Sequence, residues 1–355
     1  MIKEVYQEAL DAFANPLHEF AVKPITSGLI NQSFKVTSKT TGESFLLQKI
    51  NQYVFPEPEK VQNNYKMLWK YLQSEEINFV IPEPKYFADD VSFFCDSKNN
   101  YWRVFEFIEG AVTLPVAEKP SEAKAVAETF GTLIACLSGF DSGQLHIVIP
   151  GFHNLSLRFK QFTDSLHKNN YERLQKAAPL IRELKARERY ANFFDVITES
   201  AEFPKRVMHH DAKITNILFD EDSGKVICPV DFDTVMPGYF FSDLGDMIRS
   251  MAGSHDENST ELEAIQIRGD FYISIMEGYL EVMNKFLTEA EKKYIHFAGI
   301  IMIYMQALRF LTDYLNNNIY YHVNYQQQNF DRAKNQLTLL QKLEEYLITT
   351  YNFKM

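Results

Sequence analysis

Asp211 and Asn216 stand five residues apart in the stretch VMHHDAKITNILFD, residues 207–220. Asp231, in VDFD, follows after the turn segment EDSG. A hairpin across that turn would bring Asn216 and Asp231 side by side. One amide oxygen and one carboxylate, both hard donors, suit Mg²⁺ held jointly with phosphate groups. Asp211 would then sit near the metal without being consumed by it. It would be free to take a proton from an attacking hydroxyl, the role of the base in phosphoryl transfer. His209 and His210 stand just before it. Adjacent histidines rarely chelate one ion together, and zinc would need a third ligand, so a metal hydrolase on His209, His210 and Asp211 is the weaker reading.

These residues need a scaffold, and the sequence changes texture to supply it. Residues 1–14 have an amphipathic helical pattern. FAVKPIT, QSFKVTS and SFLLQKI read as three strands, with turns at Ser27 and Gly28 and at SKTTGE. Residues 57–74 read as a helix, and residues 86–110 as two or three more strands around a DSKNN hairpin turn. Residues 20–110 thus make a small, mainly antiparallel lobe with one inserted helix. After Gly110 the pattern becomes helical. SEAKAVAETFGTLIACLSGF opens on an expected cap at Ser121. Further helices are expected up to about Tyr351, interrupted by one strand–turn–strand unit around Asp211 and Asp231. The amide-rich YLNNNIYYHVNYQQQNF reads as a surface crossing. The expected division is therefore 1–110 and 111–355, with a hinge over 106–110. A cleft between two such lobes is a common place for a nucleotide.

Composition excludes several function classes. The chain has 355 residues, 46% hydrophobic and 23% charged, which is globular and long enough for two lobes. Its net charge of −11 argues against a general nucleic-acid binder but allows a small anion such as a nucleotide. Three scattered cysteines, Cys95, Cys136 and Cys228, form neither a disulfide framework nor a cysteine-rich zinc site. The N-terminus lacks the apolar core of a signal peptide. Residues 295–311 are apolar but short and carry Arg309, which suits a buried helix better than a membrane span. The expectation is a cytoplasmic protein, a monomer or weak dimer, with a small-molecule partner and neither nucleic acid nor membrane.

HHDAKITN matches the H-x-D-x-x-x-x-N catalytic loop of protein-kinase-like phosphotransferases, and VDFD stands where they carry a metal-binding aspartate. RVMHHDAKITNILFD, VDFDTVMPG and DLGDMIRS, taken with LLQKINQYVF, WRVFEFIEG, IPGFHNLSLRF and LRFLTDYL, form an ordered set. That set resembles the aminoglycoside phosphotransferase family, closest to its N-acetylhexosamine 1-kinase group, over most of residues 25–340. The resemblance implies an α+β, protein-kinase-like two-lobe fold with a small antiparallel-sheet N-lobe and a large, mainly helical C-lobe. It implies ATP and Mg²⁺ as cofactors, and phosphorylation of the anomeric hydroxyl of an N-acetylated hexose. A kinase of another small alcohol (choline, homoserine or an aminoglycoside) and a non-catalytic nucleotide-binding protein remain as alternatives.

Residue by residue, the resemblance puts Lys49 on the α- and β-phosphates and Lys213 on the γ-phosphate. It puts the backbone of Glu106, Phe107 and Ile108 against adenine, makes His209 a brace, and leaves His210 in a variable slot. Arg309 would face the sugar; the other reading is an ion pair with Asp313, one turn on. Asp233, two after Asp231 on an expected extended segment, should point to the same side. It is kept with Arg309 on the substrate side, beside a second reading as a turn cap before Thr234. His153 and Arg158 are further sugar candidates, and Asp243 and Asp246 are expected to cap a helix or brace the loop. The sequence departs from the family in four places. TSGLINQSF has one glycine; Leu29 stands where many hexosamine kinases carry His; NNNIYYHV replaces a glycine-containing turn; and Lys49 has no evident glutamate partner.

Overall fold

Alternating apolar side chains build the first part of the structure, a computed structural model that describes residues 5–13, 19–26, 28, 30–88, 90–168 and 170–353. The chain divides into two compact units. The first takes Met1–Thr113, Gly139–Pro150 and Ile217–Met236; the second takes Leu114–Ser138, Gly151–Asn216 and Pro237–Met355. The helix expected over 1–14 appears as α1 (Gln7–Phe13). Residues 1–4 and 14, and Ser27 and Leu29 of TSGLINQSF, lie outside the described residues.

In the first unit the strands are β1 (Phe20–Ile25), β2 (Gln32–Ser38), β3 (Ser44–Lys49), β4 (Pro84–Lys85), β5 (Phe94–Cys95) and β6 (Tyr101–Glu106). They pair antiparallel in the order β1-β2-β3-β6-β4, and β5 also pairs with β6. One face carries Phe34, Val36, Leu47, Trp102 and Val104, buried with Tyr6 and with Ala9 and Leu10 of α1. Burial of each large side chain here stabilises by about 1.5–3 kcal/mol. The other face carries Phe105, whose ring meets Tyr65 of α2 (Pro58–Leu72) at 4.7 Å.

Register decides which chemical groups share a face. Ser33, Gln48 and Arg103 form one cross-strand row, and Gln32, Lys49 and Trp102 form the next. Lys49 therefore leaves the sheet on the α1 face, with Leu47 and Trp102. Gln48 and Arg103 take the opposite face. A phosphate held by Lys49, the role that the resemblance gives it, would have to lie on that α1 face. Strand side chains alternate, so an offset of one residue reverses the face.

A second sheet of the first unit joins β7 (Ala111–Thr113) to a hairpin that follows β8 (Arg206–Met208) in the chain. That hairpin is β9 (Ile217–Asp220) and β10 (Val226–Pro229), and the order is β10-β9-β7. Its turn is closed by Gly224 at φ +66°, whose N–H donates to Asp220 O, and by Ser223, whose N–H donates to Asp220 Oδ1. Asp231 is not on the strand, because β10 ends at Pro229. Asp231 takes left-handed angles, φ 64° and ψ 57°, and Phe232–Thr234 is a 3₁₀ turn. The expected alternation of Asp231 and Asp233 on one extended face is broken by that turn.

The second unit is helical: α3 (Pro120–Cys136), α4 (Leu155–Ser165), α5 (Tyr171–Lys185), α6 (Arg189–Glu199), α7 (Phe241–Met247), α8 (Gly269–Met283), α9 (Glu289–Lys293), α10 (Phe297–Leu315) and α11 (Gln328–Tyr351). The α3 cap is not Ser121. Pro120 starts the helix, and Glu122 Oε2 accepts the N–H groups of Glu118 and Lys119. The apolar stretch expected as a core helix is α10, buried along most of its length against α11, α7 and α4. Glycine permits the closest of these approaches, since a Cβ on Gly245 of α7 would lie 2.3 Å from Ala298 O of α10. Among the described residues no helix is long and apolar enough to cross a membrane.

Candidate active site

After β8 the chain of the second unit turns sharply. His210 has φ +64°, which costs a non-glycine residue about 1 kcal/mol or more. Asp243 of α7 holds the turn: its two oxygens accept the backbone N–H groups of His209 at 2.8 Å and His210 at 2.7 Å. The Asp211 N–H donates to His209 Nδ1 at 3.3 Å, and the His209 ring packs edge-on to Phe130. The 3₁₀ turn Ile214–Asn216 folds Asn216 back, so that its Nδ2 donates to Asp211 O at 2.9 Å and Oδ2 at 2.8 Å. Lys213 Nζ lies 2.9 Å from the same Oδ2. Asp211 Oδ1 accepts no hydrogen bond among the described residues.

The electrostatics separate these carboxylates. Burial raises Asp211, but Lys213, His209 and the Asn216 hydrogen bond outweigh it and hold the carboxyl below its ordinary range. It is therefore ionised at neutral pH. Burial pushes Asp243 up to about 7, against its two backbone N–H bonds. Asp246 is also raised by burial, opposed by Arg249, whose Nε lies 2.9 Å away. Asp243 thus braces the loop, and Asp246 anchors an arginine.

The first unit carries the other expected residues. Ile217, which follows Asn216, pairs with Pro229, two residues before Asp231. Asp233 is buried: Arg103 Nη1 lies 2.6 Å from Oδ1, and Asn31 Nδ2 donates to Oδ2 at 2.7 Å. Glu106 ends β6, and its N–H donates to Glu83 O at 2.9 Å. Among the described residues Phe107 and Ile108 make no backbone–backbone hydrogen bond, so the sheet does not use them. Lys35, on the face shared with Gln48 and Arg103, lies 4.2 Å from the Phe107 ring centre and 2.7 Å from Glu109 Oε2. Lys49 has no ion pair among the described residues.

Beside the loop in the second unit lies a cluster of cations and rings. His153 stacks on Phe152 at 4.5 Å, and its Nδ1 lies 2.7 Å from Ser242 Oγ and 3.2 Å from His210 Nδ1. Burial, then His210, Arg309 and Arg158 nearby, keep His153 well below its ordinary value, hence neutral at pH 7. Arg309 lies over Phe152, Tyr320 and Tyr321 and donates to Gln306 Oε1 at 3.2 Å. The alternative ion pair with Asp313 does not form. Asp313 instead accepts the N–H groups of Tyr320 and Tyr321 and the Asn329 amide, and so shapes the 316–327 loop. Arg158 donates to Gln161 and to Phe152 O; burial and Arg309 lower it to about 10. Among the described residues neither arginine has a carboxylate partner.

Residues 21–280, spanning both units, match the phosphotransferase enzyme family. The chain belongs to that family. Similar solved structures include an ethanolamine kinase of Plasmodium vivax, at 14% identity over 97% of this chain and 88% of that one, with a TM-score of 0.58. A choline kinase of Cryptosporidium parvum has 16% identity over 99% and 97%, with a TM-score of 0.54. A spectinomycin phosphotransferase solved with ADP and spectinomycin has 12% identity over 95% and 97%, with a TM-score of 0.57. At these identities the likeness establishes the fold, which is α+β and protein-kinase-like.

For this phosphotransferase, the donor types fit a hard divalent cation. Asn216 commits its amide nitrogen to Asp211, which leaves Oδ1 with no hydrogen bond among the described residues. Asp231, in the first unit, carries a carboxylate. Mg²⁺ asks for one or two such groups plus phosphate oxygens. Among the described residues no three His, Cys, Asp or Glu side chains gather to hold a metal by themselves. Reading the sequence missed Arg103, Gln48 and Asn31. The signal was there in YWRVFE: a charged residue between apolar neighbours on a central strand needs a buried partner.

Proposed function

We propose that this phosphotransferase is an ATP- and Mg²⁺-dependent small-molecule kinase acting on a sugar hydroxyl, with C1 of an N-acetylhexosamine as first acceptor. On this reading residues 1–110 serve nucleotide binding and 111–355 serve catalysis and substrate, in a cytoplasmic monomer or weak dimer. The observation that carries it is the state of Asp211. Asn216 and Lys213 hold one oxygen, the other is open, and the carboxyl is ionised at neutral pH.

The acceptor hydroxyl gives its proton to Asp211 Oδ1 as its oxygen bonds to the γ-phosphorus. The bond from that phosphorus to the bridging oxygen breaks, and ADP leaves with the electron pair. Asn216 keeps the carboxylate turned toward the hydroxyl. Lys213 offsets charge on the γ-phosphate. Asn216 Oδ1 and Asp231 would hold Mg²⁺, which when bound neutralises charge on the phosphates. The backbone of Glu106, Phe107 and Ile108 receives adenine. Lys49, turned to the α1 face, is given no phosphate role. Arg309, with its rings and Gln306, is the sugar-side candidate. Asp233 leaves that list because both its oxygens are engaged by Arg103 and Asn31.

Two arginines without carboxylate partners suit a cationic acceptor poorly, which favours a sugar over choline, ethanolamine or an aminoglycoside. The cationic acceptors form the second reading, supported by the names of the solved relatives. The test is an assay with ATP and Mg²⁺ over N-acetylhexosamines, simple hexoses, choline, ethanolamine, homoserine and aminoglycosides, with phosphorus NMR of the product. A sugar 1-phosphate is expected. An amino-alcohol phosphate would favour the second reading, and ATP binding with no transfer to any acceptor would sink the kinase reading.

A further inference from the structure

Asp233 follows Asp231 by two residues, yet its carboxylate is tied into the first unit. Arg103 Nη1 meets Oδ1 at 2.6 Å as an ion pair without hydrogen-bond alignment, and Asn31 Nδ2 donates to Oδ2 at 2.7 Å. Water is almost excluded: the Arg103 side chain is 2% exposed and that of Asp233 3%. Arg103 Nε donates to Gln48 Oε1 at 3.1 Å, and Gln48 Nε2 donates to Ser33 Oγ at 2.9 Å. Asn31 Oδ1 accepts the N–H of Asn51 at 3.0 Å. On the far side of the turn, Asn64 Nδ2 of α2 donates to Val235 O at 3.1 Å. Asn31 ahead of β2 and Arg103 in the middle of β6 meet the Asp233 carboxylate directly, and the end of β3 joins them through Arg103.

Stability alone does not account for this arrangement. Removing two charges from water costs several kcal/mol per ion, and well-packed apolar residues often stabilise the same space as well or better. Direction comes from the aligned bonds on either side of the pair: Asn31 Nδ2 on Asp233 Oδ2, and Arg103 Nε on Gln48 Oε1. Direction matters here because Asp231 holds a left-handed conformation, which persists only when its surroundings fix it.

We infer that Arg103, acting through Asp233, is a positioning residue for phosphoryl transfer. It fixes the turn that carries Asp231, and Asn31 ties the β1–β2 turn to the same carboxylate. The inference rests on the kinase reading above. Its effect passes through the turn that carries Asp231, so it is read in how much Mg²⁺ improves ATP binding.

The test titrates ATP into the full chain by calorimetry, with and without Mg²⁺, and follows Tm in parallel. Asn31→Ala is the mild variant because it leaves the buried ion pair in place. The gain in ATP affinity on adding Mg²⁺ should fall about fivefold in Asn31→Ala, with a modest fall in Tm from the unpaired Asp233 oxygen, and further in Arg103→Met. Arg103→Lys, which keeps the charge, should recover part of the loss in Arg103→Met. Variants that lower Tm but keep the wild-type Mg²⁺ gain would overturn the inference while leaving the kinase reading intact. A wild-type protein that binds no nucleotide would overturn both.

Discussion

The loop around Asp211 and the sheet face that carries Gln48 and Arg103 assemble their polar groups in opposite ways. In the loop, Asp211, Lys213 and Asn216 meet within one turn, and a single carboxylate, Asp243, braces the backbone beneath them. On the sheet, Asn31 and Asp233 meet across 202 positions of sequence, and the meeting depends on the register of three strands. Local spacing suffices where hydrogen bonds close locally. Where a side chain's use depends on its face, spacing says little until the pairing is known.

The loop side of this contrast breaks hardest at Asp211. Asp211→Asn removes the proton acceptor but keeps the volume and a hydrogen-bonding group. Turnover should fall by about 10²–10⁴-fold, the usual contribution of a general base, while ATP binding persists. Steady-state kinetics beside a nucleotide titration checks both halves. Near-normal turnover would mean that the open oxygen, Oδ1, is not where the proton goes.

Legibility followed the same division. The strands β1, β2 and β3, the helix α2 and the buried α10 were readable because each has an apolar period of its own. The clustering of Asp211, Lys213 and Asn216 was readable for the same local reason. The misreadings arose where a neighbour in space decides. Ser121 lost the cap to Pro120, whose fixed φ suits the first helical position. Asp233 was expected to share a side with Asp231, but a left-handed residue and a 3₁₀ turn intervene. The ion pair of Arg309 with Asp313 does not form, because the backbone N–H groups of Tyr320 and Tyr321 take both Asp313 oxygens.

A smaller effect tests how the loop is braced. The Asp243 carboxyl is raised from 3.8 to about 7, chiefly by burial. A group raised on folding contributes stability that is full below its unfolded value and is lost as pH rises through the folded one. Asp243 therefore makes the protein progressively less stable between about pH 4 and pH 7, by an amount on the order of a few kcal/mol. Asp211, whose carboxyl is lowered, acts in the opposite sense and loses its contribution as pH falls. Asp243→Asn keeps one backbone acceptor and turns an amide toward the other N–H. It should cost about 1–3 kcal/mol at low pH, and the gap to wild type should narrow toward pH 7. Thermal melts of both proteins from pH 4 to 8 would show this. Parallel curves would mean that Asp243 does not titrate in that window.

The smallest expected effect is on the sheet, and it is the sharpest test of the face assignment. Lys49 shares its cross-strand row with Trp102 on the α1 side and has no ion pair among the described residues. Arg103, one row away, points to the other side and is locked to Asp233. Lys49→Ala should therefore change the KM for MgATP by less than about twofold, within the range of an ordinary surface substitution. Arg103→Met should raise the same KM well beyond that. Steady-state kinetics with the two variants side by side checks both expectations. A loss at Lys49 as large as that at Arg103 would mean that the face a side chain occupies does not decide its effect on MgATP.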